Sequence, residues 1–110
     1  MDEIKEPKGG CITAALKILG DKWSALIIRE LTIGPRRFSS LEAALPGISP
    51  RTLSQRLELL LEHDVVAKRI YCETPPRAEY ELTPKGEDLI PIIKSMVDWG
   101  SKHSSPRQLT

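Results

Sequence analysis

Ile48-Ser49-Pro50-Arg51-Thr52-Leu53-Ser54-Gln55-Arg56-Leu57 opens with a serine and a proline in the order that starts a helix. The serine oxygen can accept from an orphan N–H of the first turn. Proline at the first helical position gives up only an N–H that has no intrahelical acceptor. Wound at about 100° per residue, the helix runs to about His63 and places Leu53, Leu57, Leu60 and Leu61 on one face. Arg51, Gln55, Glu58 and Glu62 fall opposite, with Thr52, Ser54 and Arg56 flanking them. The acids Glu58 and Glu62 sit toward the far end, so the first two turns expose Arg51, Thr52, Ser54, Gln55 and Arg56 without a carboxylate among them.

Upstream, Pro46-Gly47-Ile48 is a tight turn. A short helix holding Leu41, Ala44 and Leu45 precedes it, with Ser39 or Ser40 as its cap. Before that, Asp21 caps a helix in which Trp23, Leu26, Ile27, Ile28 and Leu31 repeat at helical spacing, and Gly34-Pro35 stops it. A first helix carries Ala14, Ala15, Leu16, Ile18 and Leu19 and ends at Gly20. Downstream, the stretch 66–72 reads as a strand, Thr74-Pro75-Pro76 interrupts pairing, and the alternation in 77–82 reads as the returning strand. Thr83-Pro84 repeats the cap-then-proline start for a long last helix with Leu89, Ile92, Ile93, Met96, Val97 and Trp99. The order is α-α-α-α-β-β-α: an α+β, mainly helical chain with one domain over residues 11–100. A flexible arm over residues 1–10 and a polar tail over 101–110 flank it.

Two short helices joined by a tight turn and followed by a hairpin form a winged helix-turn-helix, whose second helix fits the DNA major groove. Arg suits a guanine edge, Gln an adenine edge, and short hydroxyls suit bases or phosphates, which makes Arg51, Thr52, Ser54, Gln55 and Arg56 the candidate reading set. Ser49, at the positive end of the helix, lies where a phosphate is favoured. Arg36 and Arg37 precede the first helix of the motif and either clamp backbone phosphate or are merely solvated. Arg77, in a wing over 71–79, either reaches DNA or pairs with Glu73 or Glu79. A solvated surface helix would show much the same polar face as this one; the turn before it and the hairpin after it favour DNA.

Charge adds little. The chain carries sixteen basic and fifteen acidic side chains, a net of +1 that speaks against non-specific coating of nucleic acid. Residues 33–77 hold seven basic and five acidic side chains, and six of the seven are arginine, whose planar fork suits phosphates and guanine. The acidic, mixed N-terminus does not read as a signal peptide, and no apolar run approaches the ~20 residues of a membrane span. A cytoplasmic location is expected, with no membrane partner. Two cysteines, Cys11 and Cys72, are too few for a disulfide scaffold. No Cys/His cluster has metal-ligand spacing, and there is no phosphate loop, nucleophile triad or paired-carboxylate site. An enzyme is not expected, and no cofactor or metal is called for. The competing reading is a winged-helix protein-interaction module that makes no DNA contact.

Five motifs in order sharpen this: Cys11 before the first helix, Gly20-Asp21-Lys22-Trp23, Gly34-Pro35-Arg36-Arg37-Phe38, the stretch 48–57 quoted above, and the run from Pro75 to Gly86. With them the chain resembles the HxlR-type winged-helix regulators, bacterial and archaeal relatives of the MarR-like group, over roughly residues 11–100. The resemblance implies a homodimeric transcription regulator on a pseudo-palindromic operator. The helix from Pro50 would read the major groove, the loop around 75–77 would be the wing, and the first and last helices would build the dimer interface. Leu16, Leu89, Ile92, Ile93, Met96 and Trp99 are its candidate residues. The last helix is more apolar than a small core needs, which fits a dimer; capping its own core is the other reading. One departure is Asp64, where the family usually has glycine: the site calls for a left-handed backbone, so a slightly strained or shifted start to the wing is expected. Some members of the group sense oxidants, quinones or aldehydes through the cysteine that Cys11 matches. Cys11 is therefore either a redox sensor, as a helix N-terminus would favour its thiolate, or a small buried hydrophobe. A small-molecule effector is the other signal the resemblance allows.

Overall fold

The computed structural model describes residues 11–104. The arm read over residues 1–10 and residues 105–110 of the tail lie outside them. Helix α1 spans Cys11–Leu19, α2 Lys22–Leu31, α3 Phe38–Ala44 and α4 Pro50–Glu62; strands β1 Val66–Tyr71 and β2 Arg77–Leu82 follow, then α5 Pro84–Glu87 and α6 Ile90–His103. The two strands pair antiparallel from Val66↔Leu82 to Tyr71↔Arg77. This is a winged helix-turn-helix, and among the described residues no helix is long and apolar enough to cross a membrane.

The capping signals act where the sequence puts them. Asp21 accepts from the Ser24 N–H at 2.9 Å, and Ser49 accepts from the Thr52 N–H at 3.0 Å. Three elements differ from the sequence reading. Helix α3 starts at Phe38 with Arg37 at its cap and no side-chain cap bond, so Ser39 and Ser40 lie inside it. The cause lies just upstream, where Arg36 and Tyr80 exchange both backbone hydrogen bonds, at 2.9 and 2.8 Å. That bridge ties the chain to β2 and fixes where α3 can begin. The last helix is broken in two, because Pro91 has no N–H to donate to the carbonyl of Glu87 and its ring would collide there. Helix α6 then continues to His103, three residues into the segment read as tail. Lys102 and His103 in its last turn complement the helix dipole.

Helix α2 is the central element and packs against α1, α3, α4, α6 and β2. Its Ile27 and Ile28 are fully buried, together with Leu41 of α3 and Leu53 and Leu60 of α4. Leu57, Val65 and Val66 are almost as deeply buried. Leu61 is only half-buried.

The join between α4 and β1 is the most constrained corner. Asp64 adopts φ 58°, the left-handed conformation expected where a glycine would be easier. Around it the Val65 N–H donates to the Leu60 carbonyl at 2.9 Å and the Asp64 N–H to the Leu61 carbonyl at 3.0 Å, the paired bonds of a Schellman end. The segment after β2 folds back onto this corner. Lys85 Nζ donates to the His63 carbonyl at 2.7 Å, and the Thr83 hydroxyl donates to the Asp64 carbonyl at 2.5 Å while accepting from the Gly86 N–H at 3.0 Å. A Cβ on Gly86 would collide with the Val65 carbonyl oxygen, so α5 can lie this close only with glycine there. The Lys85 ammonium also offsets the unfavourable carboxylate that Asp64 brings to a helix C-terminus. Asp64→Gly should therefore raise stability by about 0.5–1 kcal/mol, the relief of the left-handed backbone outweighing glycine's entropy. Urea denaturation would show it as a higher midpoint at an unchanged slope; an unchanged midpoint would mean that the clamp has already removed the strain.

Candidate nucleic-acid interface

Helix α4 is anchored by its leucines and presents Arg51, Ser54, Gln55, Glu58 and Glu62 to solvent. No acid stands in its first turn, so its positive end is unopposed where Arg51 projects. Among the described residues, neither Arg51 nor Arg37 is in an ion pair. Ser49 and Thr52 are turned to capping: the Ser49 hydroxyl donates to Thr52 Oγ1 at 2.9 Å while accepting from the Thr52 N–H.

The turn before α4 rests on α2. Gly47 takes φ 92°, and the Trp23 ring lies 3.9 Å from where its Cβ would be. Glycine therefore answers a conformational need there, and Trp23 supports the turn from beneath. Arg56, read from sequence as a candidate DNA contact, pairs with Asp21 in the free chain. Its Nε lies 3.1 Å from Oδ2 of Asp21, as an ion pair whose N–H is not aligned for a hydrogen bond. Asp21 thus serves twice, capping α2 and holding α4 against it. Sequence spacing gave no sign of that second role, because the partners are 35 positions apart.

The remaining arginines are similarly distributed. Arg36 is fixed by its backbone bridge to Tyr80, and its guanidinium approaches Glu30 at 4.0 Å. Arg77 takes the paired arrangement left open by the sequence: Nε lies 3.3 Å from Glu73 and 3.8 Å from Glu79, and the guanidinium stands 4.7 Å from the centre of the Tyr71 ring. Tyr71 donates to Glu79 at 3.1 Å. That hydrogen bond, with loss of solvent and the Glu79 charge, holds the phenol above its ordinary pKa against the opposing pull of Arg69 and Arg77. The phenol therefore keeps the proton that the bond requires. Arg69 and Glu81 complete the row on this face of the wing at 2.7 Å.

Between the wing and α3 lies an open cleft of about 720 Å³, walled by Arg37, Phe38 and Ser39 on one side and by the loop from Glu73 to Ala78 on the other. Arg37 and Ser39 are exposed there. The cleft presents Arg37 and Ser39 from one wall and Glu73 and Arg77 from the other, while Arg51, Ser54 and Gln55 are exposed on α4.

The residues read as a dimer surface divide. Ile93 is buried in the chain's own core, and Leu89 packs against that core while staying partly exposed. The inward turn of Ile93 comes from the packing of α6 on α2, which periodicity within α6 does not reveal. Leu16, Ile92, Met96 and Trp99 remain 44–67% exposed, and Val97 joins them at 48%. Cys11 is exposed at the first residue of α1, and Cys72 is exposed in the wing loop; both thiols are free.

Residues 18–108 match the family model described as HxlR-like helix-turn-helix. The uncharacterised HTH-type transcriptional regulator YvaP of Bacillus subtilis is 45% identical over 92 residues, spanning 84% of this chain and 85% of that protein. Among solved structures, the redox regulator HypR in its oxidised form superposes with a TM-score of 0.82 at 30% identity, covering 86% of this chain and 97% of that one. The reduced form of the transcriptional regulator YodB from B. subtilis gives 0.78 at 33% identity, covering 94% and 98%. With the helix-turn-helix, its wing and the matched span in agreement, the chain belongs to the HxlR-like helix-turn-helix family of transcriptional regulators.

Proposed function

We propose that this chain controls transcription by binding duplex DNA as a homodimer, with the first turns of α4 reading base edges. The observation that carries the reading is the exposed, acid-free start of α4, where Arg51, Ser54 and Gln55 project from a helix locked at both ends. Arg51 and Gln55 are the base-reading pair, Arg37 and Arg36 hold backbone phosphate, and Ser49 and Thr52 set the helix start that faces it. Arg56 acts through Asp21 as a positioning residue. Arg77 is the wing's contact to phosphate or minor groove.

Titration onto DNA from the protein's own promoter, with random DNA as control, tests this at several salt concentrations. A preference of roughly 10³-fold or more, on half-sites about one helical turn or a multiple apart, is the expected result. Arg51→Ala or Gln55→Ala should lower that preference by about 1–3 kcal/mol, while Arg37→Ala should weaken both DNAs alike and reduce the salt slope. Binding that ignores DNA altogether would favour a protein-interaction module.

The dimer reading rests on the exposed apolar side chains of α1 and α6, a surface whose removal from water favours association. Met96→Glu should shift the protein toward monomer in analytical ultracentrifugation and weaken operator binding in step; a dimer unaffected by that change would place the interface elsewhere.

A redox signal is the finer part of the proposal. An exposed thiol at the first residue of a helix that adjoins this surface is placed to alter it, and HypR, a structural neighbour, is a redox regulator. Diamide should lower operator affinity in the wild type and in Cys72→Ser but not in Cys11→Ser; an equal response in Cys11→Ser would remove Cys11 from the signal.

A further inference from the structure

We infer that Glu73 lowers the DNA affinity of the wing by competing with phosphate for Arg77 and by placing a negative charge in the cleft where backbone phosphate would pass. This rests on the DNA-binding reading above. Residues 66–82 carry three basic side chains, Lys68, Arg69 and Arg77, and three acidic ones, Glu73, Glu79 and Glu81. The wing is therefore electroneutral, although wings that grip DNA do so through cations. The pairing is specific. Arg69 is taken by Glu81 at 2.7 Å. Arg77 lies folded back along the hairpin, between Glu73 at 3.3 Å and Glu79 at 3.8 Å, over the Tyr71 ring.

The two carboxylates on Arg77 are not equivalent. Glu79 belongs to β2, is only 20% exposed and accepts the Tyr71 hydroxyl, so it is part of the wing's frame. Glu73 is in the connecting loop and 48% exposed, and it lines the cleft opposite Arg37, Phe38 and Ser39. A phosphate entering the cleft meets Arg37 on one wall and Glu73 on the other. Glu73 competes with that phosphate for the Arg77 guanidinium, whose Nε–H lies beside both carboxylates but is aligned for a hydrogen bond to neither. Exposed ion pairs of this kind are weak enough to exchange. The pair therefore lowers affinity without preventing contact, and it acts on every DNA sequence alike because phosphate carries no sequence information. Glu73 thus opposes binding to random DNA, which a regulator must leave in order to find its site.

The test is Glu73→Gln, which keeps size and hydrogen-bonding capacity, measured by salt titration on operator and random DNA with the full chain. The expected result is binding about three- to tenfold tighter on both, an unchanged ratio between them, and a salt slope steeper by about 0.9 for each further phosphate neutralised. In an Arg77→Gln background the same change should tighten binding much less. Thermal melting of each variant separates folding defects from binding effects, and Glu73→Ala provides a second route if the glutamine variant is unstable. Wild type that binds DNA with salt dependence, beside a Glu73→Gln variant of unchanged affinity and slope, overturns the inference while leaving the DNA-binding reading intact. Tightening that persists in full without Arg77 overturns the part assigned to Arg77. Absence of DNA binding in both wild type and variant overturns the reading and the inference together.

Discussion

Helix α4 must end on a residue in the left-handed conformation, and almost everything about the candidate interface depends on how that end is held. The chain turns at Asp64 so that the buried leucines of α4 lead directly into Val65 and Val66 at the root of the wing. A different conformation there would swing the hairpin relative to the helix, and the cleft between wing and α3 would change shape with it. The three groups that close the corner, Thr83, Lys85 and Gly86, all come from the segment immediately after the wing. The hairpin is thus pinned at its entrance and its exit by the same contacts. A non-glycine residue at Asp64 is tolerable because the carbonyls around it are satisfied and a lysine stands at the helix end.

A second division runs through the arginines. A net charge of +1 is small for a DNA-binding protein, and several arginines are turned inward on carboxylates: Arg56 on Asp21, Arg36 toward Glu30, Arg77 on Glu73 and Glu79. These pairs join different parts of the frame or stiffen the hairpin. Individually they are worth little at such exposure, but they decide which cations are left to meet a partner. Among the described residues Arg37 and Arg51 are in no ion pair, Arg37 at the cap of α3 and Arg51 in the first turn of α4. Few free cations on a fixed frame suit selective recognition better than coating, since each phosphate contact adds affinity without discrimination.

The helices, the hairpin and its return strand were legible because each announces itself locally. Ser49-Pro50 and Thr83-Pro84 carry a cap oxygen beside a residue that needs no hydrogen-bond acceptor, and the alternation of 77–82 has no helical reading. The demand for a left-handed residue at Asp64 was legible only through the family resemblance. What escaped is what depends on distant partners. The start of α3 is decided by a backbone bridge to Tyr80, the role of Arg56 by Asp21, and the inward side of α6 by α2. The break at Pro91 had a local signal, a proline one turn after Glu87, that the strong apolar periodicity of the last helix obscured. For the site, the reading face of α4 followed from its own period, whereas which of its flanking cations were already spoken for depended on tertiary pairing.

Helix α6 ties these features to the proposed dimer. Of its fourteen residues only Ile93 is buried, and Ile92, Met96, Val97 and Trp99 leave much of their surface in water. Full burial of such side chains is worth about 1.5–3 kcal/mol each, a large term beside the net stability of a domain this size. The same helix packs on α2, and α2 in turn carries Trp23 under the turn at Gly47 and Asp21 against Arg56 of α4. In a homodimer joined through α6, the separation of the two α4 helices is therefore set at the subunit contact and transmitted through a single rigid helix. On the proposed reading, a small shift at that contact would change the distance between the two α4 helices. Operator spacing is a periodic property of DNA, so in the proposed dimer such a shift would weaken binding without altering any side chain proposed to touch a base.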